Sequence, residues 1–210
     1  MSTANSLTAD ELGSAAQRER RQRILDATYA LAREGGFEAV QMRAVAEEAE
    51  VALGTLYRYF PSKIHLLVSA LAREFERSEA AFREVEIPGE TAAERVIWVM
   101  KGTTRGLQGD PKLTEALTRA FMFADASVAQ EIHTVGMLLT SMLTRAMRPE
   151  GSPGDADPAD LTDLTDEDVA IARVIGDVWL SALVAWVTGR STAAQTGAHL
   201  ETAVRLLLRD

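Results

Sequence analysis

The residues best suited to chemistry at a surface lie between Gln41 and Lys63, where Gly54, Thr55, Tyr57, Arg58, Tyr59 and Lys63 alternate with the apolar Val51 and Leu56. Hydroxyls and cations donate to phosphate oxygens, and a glycine lets the backbone come close to a groove. Ala44, Val45 and Ala49 recur at helical spacing, and Val51 and Leu56 carry the same apolar surface past a turn into a second short helix. Pro61 and Ser62 then stop the chain and restart it before Lys63. This is the layout of a helix-turn-helix, which presents its second helix to the DNA major groove. Arg43, Leu53, Gly54 and Thr55 are placed to approach base edges. Tyr57, Tyr59 and Lys63 are placed to hold phosphates. Arg18 and Arg21, from a cluster spanning Arg18 to Arg23, would reach phosphates or the minor groove beside them.

The formal net charge of −9 at first opposes a polyanion as partner. Over residues 1–63 the chain has eight Lys or Arg against nine Asp or Glu, while further acidic residues crowd 150–168. A basic face, rather than a basic domain, is what the charge supports.

Enzyme chemistry finds little to work with. There is no glycine-rich phosphate loop, no GxSxG and no cysteine, so thiolate catalysis and disulfides are excluded. His65, His133 and His199 are isolated, without a second histidine at metal-ligand spacing. The chain is read as a non-enzyme with no cofactor and no metal.

The middle of the chain is instead rich in soft and aromatic residues. Trp98, Phe121, Met122, Met137, Met142, Trp179 and Leu183 are the candidates for lining a site that takes a bulky apolar ligand, because methionine adapts to irregular shapes. Ordinary core packing is the competing reading of each. Arg105, Lys112, Arg119 and Arg145 are candidates for a phosphate or carboxylate at the mouth of such a cavity, with solvated surface as the alternative.

The elements that must position these groups are all helical. Capping signatures at Ser14, Thr91, Ser127 and Thr165, and an Asp110-Pro111 start, predict helices near 15–34, 41–49, 53–59, 62–84, 91–107, 111–121, 127–147, 166–189 and 194–208. Residues 1–13 read as a flexible tail, 14–62 as the helix-turn-helix domain and 63–210 as a helical bundle with a flexible acidic loop at 148–164. Neither a secretory signal nor a bilayer-length apolar run is expected: Val178 to Val187 is about half the length a span needs. The expectation is a soluble, cytoplasmic protein with no membrane partner.

Gly36-Phe37, Arg43-Ala44-Val45-Ala46, Val51, Gly54-Thr55-Leu56-Tyr57 and Tyr59-Phe60-Pro61-Ser62-Lys63 resemble the DNA-binding domain of the TetR family of bacterial repressors. Further segments, among them LTEALTRAFMFADAS and ARVIGDVWLSALVAWVT, resemble more narrowly the actinobacterial TetR-type repressors of sterol catabolism. Glu50, Ala52 and Gln41 depart from the family's usual Gly, Ser and Thr. The resemblance implies a homodimer joined by its last two helices, which reads palindromic double-stranded operator DNA and is released by a small hydrophobic ligand, a steroid acyl-CoA thioester. The alternatives are a TetR-type regulator of another lipid or drug-efflux pathway, and a helical carrier with weak DNA affinity.

Overall fold

The computed structural model describes residues 9–148 and 165–209, and every regular element among them is a helix. In chain order these are α1 (Ala9–Ala39), α2 (Met42–Glu48), α3 (Leu53–Tyr59), α4 (Lys63–Arg83), α5 (Ala92–Gln108), α6 (Pro111–Met122), a 3-10 turn (Ala126–Val128), α7 (Ala129–Met147), α8 (Asp166–Val187) and α9 (Ala193–Leu207). Residues 1–8 of the expected tail and 149–164 of the expected loop lie outside the described residues.

Local chemistry sets most boundaries. Thr91 with Glu94 and Thr165 with Asp168 form reciprocal capping boxes, and the Asp110 side chain accepts from the Leu113 amide ahead of Pro111. Thr192 with Gln195 adds a capping box that the sequence reading passed over. Two starts differ from expectation. Helix α1 begins at Ala9 rather than near Ser14. Ser127 does not cap a helix: Asp125 accepts from the Ser127 amide at 2.8 Å, a tight turn follows, and α7 starts at Ala129. The Ser127 hydroxyl, and after it the Ser127 amide, hold the Asp125 carboxyl below its ordinary pKa.

Regular helix in α1 stops at Gly35 and Gly36, the second with φ of +66°. The positive φ favours glycine at Gly36, and a Cβ there would lie 2.9 Å from Glu115 Oε2 and push that carboxylate aside. Helix α4 is the spine. Ser62 caps it through the His65 amide, and the helix, buried from Leu66 to Phe75, packs on α1 on one side and on α6 and α7 on the other. Arg145 donates to the Phe82 and Arg83 carbonyls and closes the far end of α4.

Helix α8 corrects the membrane-length estimate: taken whole, its 22 residues are long and apolar enough to cross a bilayer by length and composition. The run from Val178 to Val187 is only its C-terminal part. In the fold, α8 packs between α7 and α9, and the Trp179 indole donates to Thr104 on α5 at 2.9 Å.

Candidate DNA-reading surface and ligand cavity

Helices α2 and α3 close over a core of Val45, Ala46, Ala49, Leu56 and Phe60, packed on Ile24 and Leu25 of α1. The turn between them needs Glu50 at φ +53°, with Val51 N–H donating to Ala46 at 2.9 Å. Arg23 Nη1 reaches the Ala49 carbonyl at 3.3 Å and braces that turn. Burial of this core leaves Arg43, Gly54, Tyr57 and Arg58 exposed, with Leu53, Thr55, Tyr59 and Lys63 half-buried around them. Gly54 has no atom within 4 Å of the position its Cβ would take. A glycine inside a helix costs about 0.5–1 kcal/mol relative to alanine. Nothing within the chain requires it.

Two of the expected phosphate partners, Arg21 and Lys63, lie over aromatic rings, and a third, Tyr59, is itself the ring beneath Arg58. The Arg21 guanidinium lies 5.6 Å from the Phe60 ring centroid, and Tyr59 has Arg58 at 5.9 Å. Lys63 Nζ sits 3.8 Å from the Phe37 ring centroid rather than standing out into solvent, and desolvation there lowers its pKa. Arg18 is exposed on α1, one turn before Arg21.

Phe37 is gripped from its other side by α6. The Arg119 guanidinium lies 4.3 Å from the ring centroid and pairs with Glu38 at 3.0 Å. Glu115 Oε2 accepts from the Phe37 amide at 3.0 Å, Lys112 donates to the Glu34 carbonyl at 2.6 Å, and Arg33 pairs with Asp110 at 2.8 Å. The outer face of α6 is therefore a clasp on the end of α1.

The inner face of α6, carrying Thr114, Leu117, Thr118 and Phe121, helps to wall a cavity of about 310 Å³. Leu71 and Phe75 of α4, Met137 and Leu139 of α7, and Trp179 and Leu183 of α8 complete its apolar lining. Phe121, Met137, Trp179 and Leu183 are thus brought together as expected of neighbours. Trp98, Met122 and Met142 do not line this cavity. Trp98 packs edge-on against Phe82, with centroids 5.7 Å apart. Met142 is buried in the core among other side chains, and Met122 is 55% exposed at the outer end of α6. Leu117 and Thr118 were missed, although they precede Phe121 by four and three residues and so share its face.

The basic candidates for the cavity mouth are also redirected. Lys112 and Arg119 belong to the clasp, Arg145 caps α4, and Arg105 donates to the Lys101 carbonyl on its own helix. Exposed His133, Arg173 and Asp177 are the charged or titratable residues that border the cavity. His65 instead pairs with Glu131, Nε2 to Oε1 at 2.7 Å, tying the start of α4 to α7.

Comparison with known proteins bears on both halves. Residues 24–70 match the family described as bacterial regulatory proteins, tetR family, and residues 89–207 match the tetracyclin repressor-like C-terminal domain. The HTH-type transcriptional repressor KstR of Rhodococcus jostii (strain RHA1) is 56% identical over 207 residues, 99% of this chain and 91% of the relative. KstR of Mycobacterium tuberculosis (strain ATCC 25618 / H37Rv) is 53% identical over 204 residues, 97% of this chain and 87% of the relative. A TetR transcriptional regulator from Rhodococcus sp. RHA1 has a solved structure that superposes with a TM-score of 0.79 at 30% identity, covering 92% of this chain and 97% of that one. FadR from Bacillus subtilis, solved in complex with stearoyl-CoA, shares the fold at a TM-score of 0.57 and 22% identity, covering 90% and 97%.

Proposed function

We propose that this chain, which belongs to the TetR family of bacterial regulatory proteins, is a transcriptional repressor that binds palindromic operator DNA as a homodimer and leaves it when a steroid acyl-CoA thioester enters the bundle. One observation carries the ligand-responsive part: a single helix, α6, walls the cavity with one face and clasps the end of α1 with the other. An occupant that displaces α6 must therefore disturb the seat of the DNA reader. Such a ligand acts only by binding the released form more tightly than the DNA-bound form.

In this reading residues 14–62 are the reader and 63–210 the ligand-binding and dimerisation domain. Arg43, Leu53, Gly54 and Thr55 approach base edges, the open space at Gly54 admitting the groove wall. Tyr57, Tyr59, Lys63, Arg18 and Arg21 meet the backbone. The repressor works where the DNA is, in the cytoplasm. The cavity lies at the lower end of the range for small-molecule sites, about 300–1,000 Å³, so it takes the fused rings and leaves the coenzyme A part outside, towards His133 and Arg173.

The test is a gel-shift titration of operator fragments with a steroid acyl-CoA thioester, the free sterol and a straight-chain acyl-CoA at equal concentration. The steroid thioester is expected to release DNA at the lowest concentration and to raise the melting temperature of the free dimer. Release by the straight-chain thioester alone would leave the repressor standing and overturn the steroid assignment.

A further inference from the structure

Thr118 lies on the cavity face of α6 and is 6% exposed. The other buried threonines use their hydroxyls inside the protein. Thr28 donates to Ile24 at 2.8 Å, Thr103 to Val99 at 3.0 Å, Thr114 to Leu107 at 2.6 Å, Thr144 to Thr140 at 2.8 Å and Thr196 to Thr192 at 3.1 Å. Thr104 accepts the Trp179 indole. Among the described residues the Thr118 hydroxyl has no hydrogen-bond partner, not even the carbonyl one turn back. The Thr118 oxygen is not enclosed by protein, so this unpaired hydroxyl on an otherwise apolar wall is available to an occupant of the cavity.

We infer that Thr118 determines ligand specificity by hydrogen-bonding an oxygen, carbonyl or hydroxyl, on the ring end of the ligand. The inference rests on the proposed ligand-release reading and refines it. Leu71, Phe75, Leu117 and Trp179 supply apolar walls around Thr118, whereas His133 and Arg173 border the cavity from solvent. The occupant is thus apolar along its length, oxygenated at its buried end and polar at its exposed end, where Asp177 joins His133 and Arg173. Thr140, the other cavity threonine with an unpaired hydroxyl, is only half-buried, whereas Thr118 is buried. A buried group built to pair with a ligand oxygen discriminates strongly against the analogue that lacks it.

The experiment compares wild type, Thr118→Val and Thr118→Ser by calorimetric titration with two steroid acyl-CoA thioesters that differ only in the ring oxygen, and with the two corresponding free steroids. Wild type and Thr118→Ser should prefer the oxygenated member of each pair by about tenfold, in line with one net hydrogen bond. Thr118→Val should bind both members equally, keeping the affinity for the deoxygenated one and an unchanged melting temperature. No preference in wild type, or a preference that survives in Thr118→Val, overturns the inference. If the thioesters fail to bind but the free steroids show the Thr118-dependent preference, the thioester reading falls and the role of Thr118 stands.

Discussion

At Glu50 a carboxylate-bearing residue sits in a left-handed conformation, φ +53°, that most L-residues avoid because Cβ crowds the following carbonyl. The side chain is exposed, so little packing offsets that strain, while Arg23 braces the neighbouring Ala49 carbonyl instead. Glu50→Gly is therefore expected to stabilise the free protein by up to about 1 kcal/mol. Thermal unfolding that shows the variant less stable would mean the carboxylate has a favourable role here. The strain was legible only through the resemblance, because the TetR-type domain usually has Gly at this position of the turn. Tyr29 was not, since its environment is made by a helix forty residues away. Its hydroxyl donates to the Ala70 carbonyl, Arg73 lies 4.5 Å from its ring centroid, and burial pushes its pKa well above the ordinary phenol value. The phenol stays neutral in the fold but ionises near pH 10 when unfolded, so its contribution is complete below about pH 10 and is lost as pH rises above it. Tyr29→Phe should cost about 1 kcal/mol at pH 7 and flatten the loss of stability above pH 10. Urea unfolding at pH 7 and pH 10.5 measures both, and an equally steep alkaline loss in the variant would exclude Tyr29 as its source.

Helix α6 shows why elements were legible when their couplings were not. Asp110-Pro111 announces its start, and one turn of apolar spacing its length, both local signals. Lys112, Glu115 and Arg119 read as solvated polar residues because their partners, Glu34, Phe37 and Glu38, lie more than seventy residues earlier. Helix α4, which lines the cavity with Leu71 and Phe75 and packs on α1, is one route from ligand to reader. The clasp adds a second route, from Thr118 and Phe121 on one face of α6 to Glu115 and Arg119 on the other. Exposed ion pairs of this kind contribute little stability, about 0–1 kcal/mol each, so the clasp is better suited to transmitting position than to holding the fold. Glu115→Ala is expected to leave ligand affinity unchanged and operator affinity within about threefold. The factor by which saturating ligand weakens operator binding should fall about fivefold, a coupling change of about 1 kcal/mol. Fluorescence anisotropy of labelled operator with and without ligand gives that factor directly, and an unaltered factor would return the lever to α4.

For the whole molecule, the decisive surface is the one the single chain leaves uncovered. Helix α8 buries Ala172, Ile175, Trp179, Ala182 and Leu183 in its own bundle. Val174, Val178, Ser181 and Ala185, spaced four, three and four apart, fall on another stripe, which stays exposed or half-buried. Helix α9 offers Ala198, Thr202 and Leu206 in the same way, with Val174 43% and Leu206 57% exposed. Apolar residues on two adjoining helices that also bury their inner faces are what a two-fold helical interface requires. The sequence showed that α8 is apolar on more than one side; it could not separate the cavity side from the dimer side, because Trp179 and Val178 differ only by which neighbour each helix face meets. The chain's negative charge also makes two readers matter: with only a basic face in each, one copy has few phosphate contacts to offer. Val174→Asp is expected to split the dimer, since a carboxylate enclosed there has no partner and its burial costs several kcal/mol. In the separated chain the same carboxylate is in water, so the helical content and the cavity should survive. Sedimentation should then report a monomer of 22.8 kDa. Operator affinity should fall by at least a hundredfold, as each half-site is bound alone. An intact dimer in this variant would move the interface away from α8, and tight operator binding by a proven monomer would remove the need for two readers.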